Sequence, residues 1–335
     1  MIPQSPIGKA SCSSVGIGRL GLRLLLLGAL LCGLPHPAPA QPIVLAPPTG
    51  LPGPDPVHRQ DFLRLFVAPA EWPVTVVHTS TMGFTDYYVT HAPPDELNHV
   101  LGFVASHHLA LDVALQALPA DGCGRGIEGI VGSTYAPMLA VHRLQELGAK
   151  VGEFALDEPL TFGFSYRGKN QCAYPIAEVA RRLAMTIRAV REVYPNAKIV
   201  DAEAATNYPT AQWLTILAEW LSAYRAATGT PLDEISLDMA WHQPYWLAEA
   251  AATVNFAHSH GTKVELIINA QGDLRATDAE WLALSQRNMQ DIWRARIPFD
   301  GVVFATWNKR PTRVLPESDP LSLTGLIAWY IRYRP

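Results

Sequence analysis

From residue 41 to the C-terminus, short apolar, β-branched runs alternate with longer stretches whose apolar residues recur every three or four positions. Alternation of this kind predicts parallel strands covered by helices. The expected strands are 43–46, 74–79 (VTVVHT), 109–118, 150–156 (KVGEFAL), 198–202, 234–239, 263–268 and 301–306. Between them lie expected helices at 60–66, 95–107, 134–147, 176–194, 211–227, 245–258, 277–296 and 322–333. Leu97, Val100, Leu101 and Val104 keep helical spacing in the second of these. Gly148, Pro195, Gly229 and Gly261 supply stop signals, and Thr277 or Asp278 an N-cap. The strands read as near-continuous apolar runs, as when both faces of a sheet are buried. Eight strand–helix units predict a single-domain α/β fold, the (β/α)8 TIM barrel, over residues 41–335. The first strand has the least periodic support.

The first forty residues read differently. Lys9, Arg19 and Arg23 precede or interrupt an apolar run from 20 to 34, and a small-residue A-x-A site ends at Ala40. That order predicts a cleaved signal peptide and a secreted or periplasmic protein, with no membrane attachment after cleavage. Loss of those basic residues makes the remainder more acidic than the formal −4 of the whole chain. No basic cluster offers a footprint for nucleic acid. Cys123 and Cys172 are the cysteines left after the leader. An oxidising compartment favours a disulfide between them, since both lie in polar, Gly-rich loops flanking one strand; two separate thiols are the alternative.

Barrel active sites lie at the C-terminal ends of the strands. There the sequence offers His78; Asp157 and Glu158; Asp201 and Glu203; Asp238 with Trp241 and His242; Asn269; and Trp307. Glycoside hydrolysis commonly uses two carboxyl groups, one kept protonated and one ionised. Glu158 is the expected acid, Glu203 the first choice of partner and Asp238 the second. Neighbouring strands are about 4.8 Å apart, so Glu203 would suit a retaining geometry and Asp238 an inverting one. Asp201 is expected to point away from Glu203, and Asp157 away from Glu158, leaving one of each pair facing the helices. Trp241, Trp246 and Trp307 would stack on sugar faces. Asp157, His78, His242 and Asn269 would help to bind the substrate. Trp213, Trp220, Trp281, Trp293 and Trp329 fall at helical positions and read as packing. His258 and His260 read as a helix C-terminus rather than a metal site.

Phe154-Ala155-Leu156-Asp157-Glu158-Pro159 resembles the strand-four N-E-P signature of the large (β/α)8 glycoside hydrolase clan. The resemblance implies that Glu158 is the acid/base and that Trp307 floors the sugar site. Two positions depart from it. Asp157 stands where the clan has Asn, and strand seven ends Leu266-Ile267-Ile268-Asn269 where the clan has its nucleophilic Glu. Glu265 comes too early in that strand to reach the rim. More loosely, D-E-P, the D-x-E at 201–203, Asn269, Trp307 and L-P-E-x-D-P at 315–320 resemble a set of secreted bacterial barrel proteins with no assigned activity.

Four readings follow. The first is a glycosidase acting on a polysaccharide or glycoconjugate. No cofactor is expected for it, because no Gly-rich phosphate loop follows a strand. The second is a catalytically inactive carbohydrate-binding barrel. The third is a metal-dependent hydrolase using His78, His242 and Asp238. The fourth, an exported scaffold, expects Lys309 and Arg310 to neutralise the rim carboxylates.

Overall fold

The computed structural model describes residues 41–49, 60–205, 208–270, 277–307 and 309–335. The expected leader and most of the Pro/Gly-rich segment after the first strand lie outside the described residues. The strands β1 (Ile43–Ala46), β2 (Thr81–Thr85), β3 (Ala110–Leu115), β4 (Val151–Asp157), β5 (Lys198–Ala204), β6 (Glu234–Asp238), β7 (Lys263–Ile268) and β8 (Gly301–Ala305) close into one parallel barrel. Each pairs with its sequence neighbour, and β8 pairs back onto β1, with Val44 opposite Val303. The main covering helices are α1 (Pro73–His78), α2 (Pro94–Ser106), α3 (Tyr135–Glu146), α4 (Ile176–Val193), α5 (Thr210–Thr228), α6 (Trp246–Ser259), α7 (Asp278–Ala295) and α8 (Leu323–Tyr333). This is the predicted (β/α)8 architecture, and β1 coincides with the least supported of the expected strands.

One element was misread. Residues 74–78 form most of helix α1, Thr79 follows in extended backbone, and β2 lies just beyond. Pro73 starts the helix where a missing N–H does no harm. The Glu317 carboxylate then accepts from the Val74 and Thr75 amides at 3.0 and 2.8 Å. That cap comes from the far end of the chain, so no local pattern announces it. β2 itself (TMGFT) is weakly apolar. An added Cβ on its Gly83 would lie 2.9 Å from Ala46 Cβ, so glycine suits this close approach of β1 and β2.

Helix amphipathicity explains the outer layer. Along α4, Ile176, Val179, Ala180, Leu183, Ala184, Ile187 and Val190 are buried at i, i+3, i+4 and i+7 spacing. Thr277 and Glu280 form a reciprocal capping box on α7. Trp213, Trp220 and Trp281 are fully buried, and Trp293 stacks on Trp329 at 5.5 Å. His258 Nε2 lies 2.7 Å from Asp300 Oδ2, and that oxygen also accepts from the Val264 amide. No helix among the described residues is long and apolar enough to cross a membrane.

The barrel interior has two characters. Its middle is small and apolar, with Val44, Ile267 and Val303 packed against Ala46, Ala202 and Ala305. Nearer the strand N-termini it is charged. The Lys198 ammonium lies 3.4 Å from Glu153 and 3.5 Å from Glu234. Asp112 and Glu265 belong to the same cluster. Burial, together with the neighbouring carboxyls, pushes Asp112 and Glu265 well above the usual carboxylate range; burial also raises Glu234, against the pull of Lys198.

These carboxyls bind protons more tightly in the folded chain than in the unfolded one, where they titrate near pH 4. Their contribution to stability is therefore complete below about pH 4 and is lost as the pH rises through the folded values. Thermal midpoints should fall between pH 5 and 9, and Glu265→Gln should flatten that fall. Lys198→Met should destabilise by about 1–2 kcal/mol, less than for a fully buried pair because the ammonium is half exposed. An unchanged pH slope in Glu265→Gln would show that this cluster does not set it.

Candidate active site

The loops after β3 and β4 and the strand ends of β4, β5, β6 and β8 enclose a groove of about 710 Å³. Its lining includes Glu128, Asp157, Glu158, Asp238, Phe162, Tyr166, Arg167, Tyr208 and Trp307. A volume in this range is typical of a small-ligand site.

Glu158 owes its place to a backbone turn. Its amide donates to the Ala202 carbonyl at 3.1 Å, which extends the β4–β5 ladder by one residue. Its own φ is +45°, in the left-handed region that a residue with a Cβ rarely adopts. Strain of this kind costs about 1–3 kcal/mol and persists only where neighbours over-determine it. The turn ends the in–out alternation of β4, so Asp157 and Glu158 both line the groove. The expected opposition of these two residues is therefore corrected.

Glu203 holds the turn. It is almost fully buried and accepts from the Leu160 amide at 2.6 Å, the Thr161 amide at 3.0 Å and Thr161 Oγ1 at 2.7 Å. It faces the helix layer and does not line the groove. Asp201 faces the same way, accepting from Trp220 Nε1 at 2.6 Å. The expectation that these two diverge was wrong, because residues two apart on a strand share a face. Ala202 and Ala204 take the inward positions and leave the groove open.

Asp238 does face inward at the end of β6. It is 6% exposed, and its Oδ1 has no hydrogen-bond partner. Burial, with Glu128 nearby, raises its carboxyl to about 7 against a hydrogen bond from the Met239 amide. Burial raises Glu158 further, to about 10, helped by Glu203, Asp238, Asp157 and Glu128. At neutral pH the site thus pairs a protonated Glu158 with an Asp238 near its titration midpoint.

Other expected site residues are placed apart. His78 ends helix α1, which feeds the N-terminal end of β2, so it sits at the opposite rim and bonds the Val74 carbonyl. Trp241 is 5% exposed and packs edge-on against Trp246 at 4.9 Å, as core rather than as a sugar platform. That packing leaves His242 exposed beside Gln243. Asn269 is fully buried beneath the rim and does not line the groove. Trp307, 43% exposed, does line it. His78 cannot join His242 and Asp238 from the far rim. No three His, Cys, Asp or Glu side chains among the described residues are grouped to hold a metal ion. Arg310 lies 3.4 Å from Asp278 rather than on a groove carboxylate, which removes half of the scaffold reading.

The sequence reading missed Glu128 and the Phe162–Arg167 wall, because Glu128 lies in an irregular loop and the wall begins in one short helical turn, too short to show periodicity. The available signal was the run Gly122-Cys123-Gly124-Arg125-Gly126-Ile127-Glu128-Gly129, whose four glycines all have positive φ. At Gly129 an added Cβ would fall 1.9 Å from the Asp157 carbonyl oxygen, so the loop reaches β4 only with glycine there. Cys123 and Cys172 are disulfide-bonded, with Cα atoms 5.1 Å apart. The bridge ties the Glu128 loop to the segment after β4, and the Gly124 amide adds a 2.7 Å bond to the Asn170 carbonyl.

No protein-family model matches the chain, and no curated protein matches it in sequence. Solved structures match in fold. The candidate alpha-L-fucosidase of Bacteroides thetaiotaomicron VPI-5482 superposes with a TM-score of 0.55 at 9% identity, over 88% of this chain and 94% of that one. A psychrophilic glycoside hydrolase family 10 endo-beta-1,4-xylanase gives 0.49 at 10% identity, over 79% and 86%. At these identities the likeness is one of fold, the closed parallel barrel.

Glu203→Ala should cost about 2–3 kcal/mol, since it strands two buried amides and a hydroxyl. Asp238→Asn should be neutral or stabilising above pH 7, where it removes a buried charge. Urea unfolding of both variants at pH 8 checks the contrast. Equal losses would contradict the division between a supporting Glu203 and an exposed-to-ligand Asp238.

Proposed function

We propose that this protein is an exported glycosidase in which Glu158 is the general acid and Asp238 the general base. One observation carries the reading: two inward carboxyls of unequal proton affinity share a groove walled by Phe162, Tyr166, Tyr208 and Trp307. The aromatic rings offer flat apolar faces to sugar C–H surfaces. The disulfide and the leader-like N-terminus support export.

In this mechanism Glu158 gives its proton to the glycosidic oxygen as the bond to the anomeric carbon breaks. Asp238 takes a proton from a water molecule whose oxygen attacks that carbon from the opposite face. β4 and β6 are two strands apart, or about 10 Å between strand ends. That spacing leaves room for the water and favours inversion. The clan's retaining mechanism does not transfer, because Asn269 replaces its nucleophile and Glu203 points outward. Glu203 acts instead as a positioning residue for Glu158.

A carbohydrate-binding barrel is the competing reading, favoured by the residue at Asn269. Release of reducing ends from a polysaccharide panel separates the two. Glu158→Gln should lower kcat about 10²–10⁴-fold, the range supplied by general acid catalysis. With wild type, the rate should rise through about pH 7 as Asp238 ionises and fall through about pH 10 as Glu158 loses its proton. NMR of the fresh product should show the inverted anomer. Glycan binding without cleavage by wild type would favour the binding barrel.

A further inference from the structure

Two segments supply one wall of the groove. Glu128 comes from the chain between β3 and α3, and Phe162, Tyr166 and Arg167 from the chain between β4 and α4. Neither segment is held by a long element of its own. The first is closed at its base by the short parallel pair Leu118–Pro119 and Ile130–Val131. Inside that closure Gly122, Gly124, Gly126 and Gly129 all have positive φ, and glycine loses more chain freedom on ordering than any other residue. In the second segment Asn170 and Ala173 hold φ of 63° and 50° without being glycine, a conformation that relaxes once its constraint is removed.

The two segments are laced together at one place. The Gly124 amide donates to the Asn170 carbonyl at 2.7 Å, Asn170 Nδ2 donates to the Arg125 carbonyl at 2.9 Å, and the Cys123–Cys172 disulfide adjoins both bonds. Arg125 and Asn170 are exposed, so water competes for their hydrogen bond and its net worth is small. The disulfide is the tie that water cannot replace. It is also seated on the helix layer: the Tyr174 hydroxyl lies 3.0 Å from Cys123 Sγ, and the Arg182 guanidinium of α4 sits 4.5 Å from the Tyr174 ring centre. Both cysteines are half-buried, within reach of an exchanging thiol.

We infer that the Cys123–Cys172 bridge is an assembly switch for the groove: with both thiols reduced the two segments separate and the wall bearing Glu128, Tyr166 and Arg167 is lost, and closing the bridge builds it. In closure the two thiols each give up a hydrogen and the sulfurs join. A protein disulfide that exchanges with them takes up the two electrons and two protons and becomes a dithiol. Thiols belong to a reducing compartment and the bridge to an oxidising one, so an exported chain acquires its groove only after export. The use of the switch rests on the exported glycosidase proposed above; the coupling of the two segments does not.

The test compares the exported protein as purified with the same protein reduced by a phosphine. Cys123 and Cys172 are the cysteines that follow the leader-like segment, so the reductant acts on this bond. Hydrogen exchange read by mass spectrometry should rise at least about tenfold over residues 120–129 and 162–174, with the strands from β5 to β8 unchanged. A Cys123→Ser/Cys172→Ser double variant should match the reduced protein and ignore the phosphine. Equal protection in both forms overturns the inference. Loss of protection throughout the barrel overturns it as well, because the bridge is then a staple of the whole fold. Reducing-end release should fall at least about tenfold on reduction and return on reoxidation with glutathione disulfide. Full cleavage by the reduced protein rejects the switch and keeps the glycosidase. Segment-specific exchange with no cleavage in either form keeps the switch and rejects the glycosidase.

Discussion

The site depends on how one buried carboxylate is satisfied. Glu203 accepts three hydrogen bonds from Leu160 and Thr161, at the start of the short helical turn that follows β4. Those bonds fix the chain just past Glu158 and hold that residue in a left-handed conformation that a free chain would abandon. With that turn in place, Glu158 enters the groove beside Asp157 instead of following the strand outward. A buried carboxylate left without donors would be expensive, so anchor and strained turn are mutually dependent. Glu203 therefore matters to the acid without facing the groove.

The second constraint is the approach of the Glu128 loop to the end of β4. Gly129 lets the loop backbone touch the Asp157 carbonyl, and the Cys123–Cys172 bridge joins the same loop to the segment after Glu158. Glu128 is thereby brought close enough to influence both Glu158 and Asp238. Carboxyls at the two ends of the barrel interior meet different fates. Near the strand N-termini they share Lys198 and burial. At the C-terminal rim they share an open groove. That asymmetry fits the general division of labour in these barrels between a stabilising end and a reactive end.

The departures from the clan signature bear on chemistry rather than on fold. Asn269 is buried just past the end of β7, and the groove-lining carboxylate nearest in chain order stands on β6 instead. One fold can host a paired-carboxylate site at more than one set of strand ends, because the rim offers eight equivalent positions. The groove is accordingly understood from its own residues, with the fold supplying only where they stand.

The sequence by itself determined the barrel. Alternating runs, stop glycines and caps such as Thr277 act over a few residues, so the eight units and most boundaries were legible without contacts. It also determined that Glu158 ends the fourth strand, that Trp307 follows the eighth, and that Cys123 and Cys172 could pair. Only the tertiary structure decided which polar residues share the groove. His78 moved to the other rim because Glu317, far away in the chain, caps helix α1. Trp241 went into the core against Trp246, and His242 went outward with it. Glu203 turned to Leu160 and Thr161, while Glu128 arrived from an irregular loop. Periodicity reports which face of an element is apolar. It carries no information about which distant backbone donor or loop will meet a polar side chain, and those meetings define this site.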